Sequence, residues 1–130
     1  MAHVGDFAEV KRAINESASS DAGVIVLPSP AATAQREQII ELATVHRLPA
    51  VYPFKYYTIS GGLLFYGADN VDQWRQAASY VDRILRGAQP RDLPIQLPTK
   101  FDLVINLKAA SAIGLNIPRD VLLLADEVIE

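Results

Sequence analysis

Val24-Ile25-Val26-Leu27, bounded by Gly23 and Pro28, is a run of strand length with no polar residue alternating through it. A strand with one face in water alternates apolar and polar residues. This run is therefore expected to be buried on both faces, as strands are in parallel sheets covered by helices. The flanking segments agree. Phe7, Val10 and Ile14 recur at helical spacing behind an Asp6–Glu9 capping pattern, which predicts a helix over about Phe7–Ser17. Residues 17–23 are small and polar and read as a loop. Thr33 is placed to cap a second helix whose core side is Ile39, Ile40, Leu42 and Ala43, running to His46. Leu48-Pro49 ends it, and Ala50-Val51-Tyr52-Pro53 is a second short strand. Helix–strand–helix–strand with tight connections predicts an α/β fold, a mostly parallel sheet flanked by helices.

The second half continues the pattern. Phe54–Ser60 is polar-aromatic and leaves room for one helical turn, and Leu63-Leu64-Phe65-Tyr66 is a third strand ending at Gly67. Asp69 or Asn70 caps a long helix in which Val71, Trp74, Ala78, Val81 and Leu85 are spaced 3, 4, 3 and 4. Gly87 is placed to close that helix in the left-handed conformation. Pro94-Ile95-Gln96-Leu97 is expected to be extended. Phe101–Ile105 is a fourth strand, Asn106 caps a short helix that Gly114 terminates, and Pro118 opens a last turn through Val121, Leu122 and Leu124.

Composition narrows the chemistry. The formal net charge of −3 and the scattered Lys and Arg argue against nucleic acid as a partner. The chain has no cysteine, which removes disulfides, thiolate catalysis and Cys-ligated metals. His3 and His46 supply no ligand set, and His46 is explained by the helix terminus it occupies, so no metal and no cofactor are expected. The serines lack a GxSxG elbow, and the glycines form neither a P-loop nor a GxGxxG turn. Asp69 and Asp72 sit in the first turn of the long helix, where negative charge is favourable whatever the function. Catalysis is not expected. Met1–Asp6 has neither the cationic nor the apolar part of a secretory signal, so the chain as written is expected to be cytoplasmic.

The aromatic residues point elsewhere. Tyr52, Phe54, Tyr56, Tyr57, Phe65 and Tyr66 gather at the ends of the second and third strands. Ligands of open parallel sheets lie beyond the carboxyl ends of the strands, where Ser29, Tyr52, Phe54 and Tyr66 are expected to project. Gly67 and Asp69 follow directly. Aromatic faces with a few hydroxyls and a carboxylate suit a small organic solute, such as an amino acid or another aromatic compound. The plainer alternative is that Phe65 and one or two tyrosines pack the sheet. Trp74, at helical spacing with Val71 and Ala78, reads as packing.

LPAVYPF (Leu48–Phe54), GGLLFYG (Gly61–Gly67), the stretch from Tyr80 to Pro118 and ADEVIE (Ala125–Glu130) resemble the C-terminal portion of the ABC-transporter substrate-binding protein family. That family has a type I periplasmic-binding fold and includes tryptophan- and tyrosine-binding members. The resemblance covers nearly the whole chain. It implies a non-catalytic, periplasmic solute-binding component of an ABC importer, whose two lobes close on a solute and deliver it to a membrane permease. It also implies that the chain is one part of such a protein. Residues 1–67 would be βα units of the second lobe, 68–98 a crossover helix and extended crossing, and 99–130 a returning strand with terminal helices. The implied cleft positions are Ser29, Tyr52–Phe54 and Tyr66–Asp69. Phe65 departs from the family, whose members often carry serine there.

The resemblance further implies that the helix after GGLLFYG packs on the first lobe. Without that lobe, the stripe Val71, Trp74, Ala78, Val81 and Leu85 lacks its partner. Leaving five such side chains in water forgoes several kcal/mol at about 25 cal/mol per Å². A homodimer through this helix and Pro94–Leu97 is the expected remedy. The alternative function is a cytoplasmic self-associating interaction module derived from such a lobe. A small enzyme acting through Asp69 and Tyr66 is a third reading.

Overall fold

The computed structural model describes residues 7–17 and 22–130. The expected Asp6 cap, His3 and most of the loop over 17–23 lie outside the described residues. In chain order the elements are α1 (Phe7–Ser17), β1 (Val24–Ile25), α2 (Pro30–Ala34), α3 (Arg36–Val45), β2 (Ala50–Tyr52), α4 (Lys55–Ile59), β3 (Leu64–Ala68), α5 (Asn70–Leu85), β4 (Phe101–Asn106), α6 (Leu107–Ala112), α7 (Arg119–Leu123) and β5 (Glu127–Ile129). The strands form one sheet in the order β1-β2-β3-β4-β5. β1–β2, β2–β3 and β4–β5 run parallel, with Ile25 opposite Val51, Tyr52 opposite Phe65 and Ile105 opposite Val128. The α/β class and the mostly parallel sheet are as the sequence predicts.

The chain divides into two compact units, residues 1–66 with 103–130, and residues 67–102. The core of the first is built from α1 (Val10, Ile14), α3 (Ile39, Ile40, Ala43), Leu48, β2 (Ala50, Tyr52) and Tyr57. Burying each large side chain of this kind contributes about 1.5–3 kcal/mol. Phe65 is buried in β3, so its apolar character is used in packing. Asn106 is a buried polar residue of this unit, and its Oδ1 caps α6 by accepting the Ala109 N–H at 2.9 Å. The start of β5, which the sequence did not announce, is pinned by reciprocal bonds. Asp126 N–H donates to the Leu103 carbonyl at 2.9 Å, and Leu103 N–H donates to Asp126 Oδ2 at 2.7 Å.

Two expectations change here. The β1 run is not buried on both faces: Ile25 is 74 % and Leu27 55 % exposed, while Val26 is buried. Among the described residues β1 lies at the margin of the sheet with β2 as its one strand neighbour, Val24 N–H donating to the Pro49 carbonyl and Val26 N–H to that of Val51. Its flank toward α1 and α3 holds an apolar cavity of about 310 Å³ lined by Val10, Ile14, Val24 and Ile39. The cap also moves. Ser29, not Thr33, caps the helix after β1, its Oγ receiving the Ala32 N–H at 3.0 Å, with Pro30 in the first helical position. α2 then stops at Gln35 and α3 begins at Arg36.

In the second unit, Asp69 caps α5 by accepting from Val71 N–H at 2.8 Å and Asp72 N–H at 3.2 Å. Gly87 follows the helix with φ 102°, a left-handed conformation that favours glycine. The segment after it returns along α5. Tyr80 Oη donates to the Pro94 carbonyl at 2.5 Å, and Asp69 N–H donates to the Lys100 carbonyl at 3.0 Å. None of the α5 residues is buried. Trp74 is 76 % and Leu85 81 % exposed, and Val71, Ala78 and Val81 are exposed as well.

Candidate functional site

The turns leaving the carboxyl ends of β1 and β2 enclose an open groove of about 670 Å³ in the first unit. Pro28, Ser29 and Pro30 carry the chain from β1 into α2. Phe54 precedes α4 with extended backbone and swings its ring toward the same place. The remaining wall comes from Thr33, Arg36 and Tyr56. Thr33 Oγ1 and Tyr56 Oη share a hydrogen bond at 3.3 Å, which ties α2 to α4 across the groove.

The groove ends on a series of stacked rings that leads into the core. Phe54 stacks on Tyr56 at 5.4 Å between centroids, Tyr56 on Tyr57 at 5.0 Å, and Tyr57 on Tyr52 at 5.2 Å. Offset stacking at these separations contributes about 0.5–1.5 kcal/mol per pair beyond area burial. It also holds the outer two rings in fixed orientation. Burial, and then its neighbour Tyr57, push the Tyr52 phenol well above its ordinary range. Burial likewise raises Tyr57, with the Thr33 hydroxyl opposing it. Both phenols are thereby held in the neutral form.

Ser29 and Phe54, both expected at the site, do line one groove. Tyr52 takes a core position rather than an edge one, at 2 % exposed. Alternation along β2 turns Ala50 and Tyr52 inward together, and Gly62 makes room against the Tyr52 ring. Tyr66 is 60 % exposed on β3 and is not part of the groove wall. Gly67 and Asp69 belong to the second unit, where Asp69 caps α5 and pairs with Lys100 Nζ at 2.7 Å. That pairing and the backbone donors hold the Asp69 carboxyl below its usual range.

Among the groove residues with polar side chains, Thr33, Arg36 and Tyr56 were not anticipated as site residues. Ser29, Thr33 and Arg36 are spaced 4 and 3, so two hydroxyls and a guanidinium recur at helical period beside the strand end. That spacing was the available signal. The groove thus offers proline and aromatic surface, the hydroxyls of Ser29, Thr33 and Tyr56 and one guanidinium, with no carboxylate in its wall. Among the described residues, no three His, Asp or Glu side chains gather to hold a metal ion. No helix among them is long and apolar enough to cross a membrane.

Residues 1–129 match the family model described as ABC transporter substrate binding protein. The chain belongs to that family. A search of the curated proteins returns no match. Among solved structures, a conserved domain protein from Vibrio cholerae O1 biovar El Tor is 32 % identical, with a TM-score of 0.79 over 93 % of this chain. An ABC domain from Streptococcus pneumonia, solved in complex with L-Trp, is 23 % identical with a TM-score of 0.80 over 94 % of this chain. The ligand-free, open structure of a substrate binding protein with adhesive properties from Clostridium difficile is 18 % identical, with a TM-score of 0.67 over 95 %. The last two share the fold with this member of the family. The chain spans 41 % of the length of each of the three.

Proposed function

We propose that the chain contributes a solute-binding surface to the binding component of an ABC importer and changes nothing chemically in what it binds. The observation that carries this reading is the groove at the ends of β1 and β2, walled by Phe54 and Tyr56, in a chain of this family. The solute is a small organic molecule, an amino acid or another aromatic compound, lying against Ser29 and Phe54 while Tyr52 supports the ring series from behind. The Streptococcus protein solved with L-Trp supports an aromatic solute. In full-length relatives the partner is a membrane permease, and the working compartment is the periplasm. A thermal-shift screen of amino acids and aromatic acids tests the reading. A ligand at 100 times its dissociation constant adds about 2.7 kcal/mol, a readily measured shift. If no compound raises the melting temperature at millimolar concentration, the reading fails.

A second reading rests on α5. Its stripe Val71, Trp74, Ala78, Val81 and Leu85 is uncovered, and Ile95 and Leu97 in the returning segment are exposed too. These favour a self-associating module in which two copies pair through α5. Light scattering across a concentration series decides it: a monomer throughout sinks the dimer. A dimer that Trp74→Glu dissociates supports it.

A further inference from the structure

The charged group in the groove wall is of one sign. Arg36 is part of that wall, and no Asp or Glu is. We propose that the solute is an aromatic carboxylate, its ring lying along Phe54 and Tyr56 and its carboxylate held by Arg36 and Thr33. This rests on the solute-binding reading and names the chemistry of that same groove.

The pieces fit a planar acid. The outer pair of the ring series, Phe54 and Tyr56, is nearly parallel at 16°, so a further ring continues an arrangement already in place. The guanidinium presents five donors in a planar fork that matches a carboxylate. Its partner is Glu37 Oε1, at 3.1 Å from Nη2, and both side chains are exposed. An exposed ion pair of that kind contributes about 0–1 kcal/mol, so an incoming anion displaces or shares it at small cost. The Thr33 and Tyr56 hydroxyls carry two hydrogens, and their mutual bond uses one. Both hydroxyls stand in the groove wall with Arg36. A volume of about 670 Å³ admits a one- or two-ring acid.

The same inventory disfavours a cation. An ammonium needs a carboxylate or a ring face, and the groove wall opposes it with a guanidinium. The ammonium of an α-amino acid finds no acidic partner in this wall. The discriminating comparison is therefore between three molecules sharing a ring: indole-3-acetate, L-tryptophan and tryptamine.

Isothermal titration of the chain with these compounds and 3-phenylpropanoate, repeated on Arg36→Gln and Arg36→Lys, tests the proposal. The two acids are expected to bind more tightly than tryptamine by about tenfold or more, with L-tryptophan between them. Arg36→Gln is expected to lose about tenfold for the acids and little for tryptamine, and Arg36→Lys to recover part of the loss as a point charge. Circular dichroism and the urea midpoint establish that both variants are folded, and the lysine variant tests the charge independently of the glutamine one. Tryptamine binding as tightly as the acids, or acid affinity indifferent to both substitutions, overturns the anion assignment and leaves solute binding standing. L-tryptophan binding as tightly as the acids overturns only the exclusion of the ammonium. L-Leucine is titrated as the aliphatic control, and its binding with none of the ring compounds bound overturns the aromatic assignment alone. No heat from any of them overturns both readings.

Discussion

Asn106 Nδ2 donates to the Thr58 carbonyl at 2.9 Å, joining the end of β4 to α4 across 48 residues of sequence. The same carboxamide caps α6 through its oxygen. Removing it takes one donor from the Thr58 carbonyl, which keeps the Gly61 N–H at 3.2 Å, and leaves a helix without its cap. Asn106→Ala is expected to cost about 1.5–2.5 kcal/mol, from about 1 for the cap and about 0.5–1.5 for the lost hydrogen bond. Urea denaturation followed by circular dichroism measures this. Asn106→Asp keeps the cap but turns an oxygen toward the Thr58 carbonyl, so it too should be destabilised, and more at neutral than at acid pH.

Gly62 is required by space rather than by backbone angle. A Cβ there would stand 2.7 Å from Tyr52 Cε2 and 2.9 Å from the Tyr57 carbonyl oxygen. The carbonyl is backbone and cannot give way. Gly62→Ala is expected to lower stability by about 1–3 kcal/mol with an unchanged denaturant slope, since overpacking strains the native state without altering the surface exposed on unfolding. A midpoint equal to that of the parent chain would contradict the crowding.

Tyr52 should limit stability in alkali. Its folded-state pKa is raised, first by burial and then by Tyr57. A group raised above its unfolded value contributes fully below the unfolded pKa and loses that contribution as pH rises. The window therefore opens near pH 10, where an unfolded tyrosine ionises. Tyr52→Phe is expected to flatten the fall in melting temperature above about pH 10. Phenolate absorbance of the folded parent chain should lag that of the unfolded one. Equal titration of the two would remove the explanation.

Asp69 acts at the other end of the scale. Lys100 first, and then the Asp72 N–H, hold its carboxyl below the ordinary value. A depressed carboxylate contributes above the unfolded pKa and loses the contribution as pH falls through the folded one. The loss is therefore expected below about pH 4. Asp69→Asn should lower the melting temperature at neutral pH and flatten its acid limb. Lys100→Met should remove part of the same pH dependence, and a parent acid limb untouched by either change would dismiss the pair as its source.

What was legible in the sequence follows from what is local. Strand runs, the Asp69 and Asn106 caps and the glycine after α5 are each decided within a few residues, and each is found in the structure. What was not legible depends on distant partners. The Val24–Leu27 run looks like a central strand by composition, and its marginal place comes from strand order, which composition does not carry. Tyr52 and Tyr56 are both tyrosines near a strand end. One became core and the other groove wall because strand alternation turns Tyr52 inward, while α4 carries Tyr56 out to meet Thr33. Arg36 was passed over because a guanidinium in the first turn of a helix reads as surface. Only the turn at Ser29–Pro30 brings it beside Phe54.

The sequential order of the strands bears on how the polypeptide comes to be assembled. β1, β2 and β3 are neighbours in the sheet in the order in which they are made. No strand must later be threaded between two already paired, and each new one docks on an open margin. Translation delivers about 5–20 residues per second, slower than a short strand takes to find its place. The first three strands are thus able to pair in the order in which they emerge, while α4, which carries Tyr56 of the groove, gains its tie to Asn106 only once the end of β4 has been made.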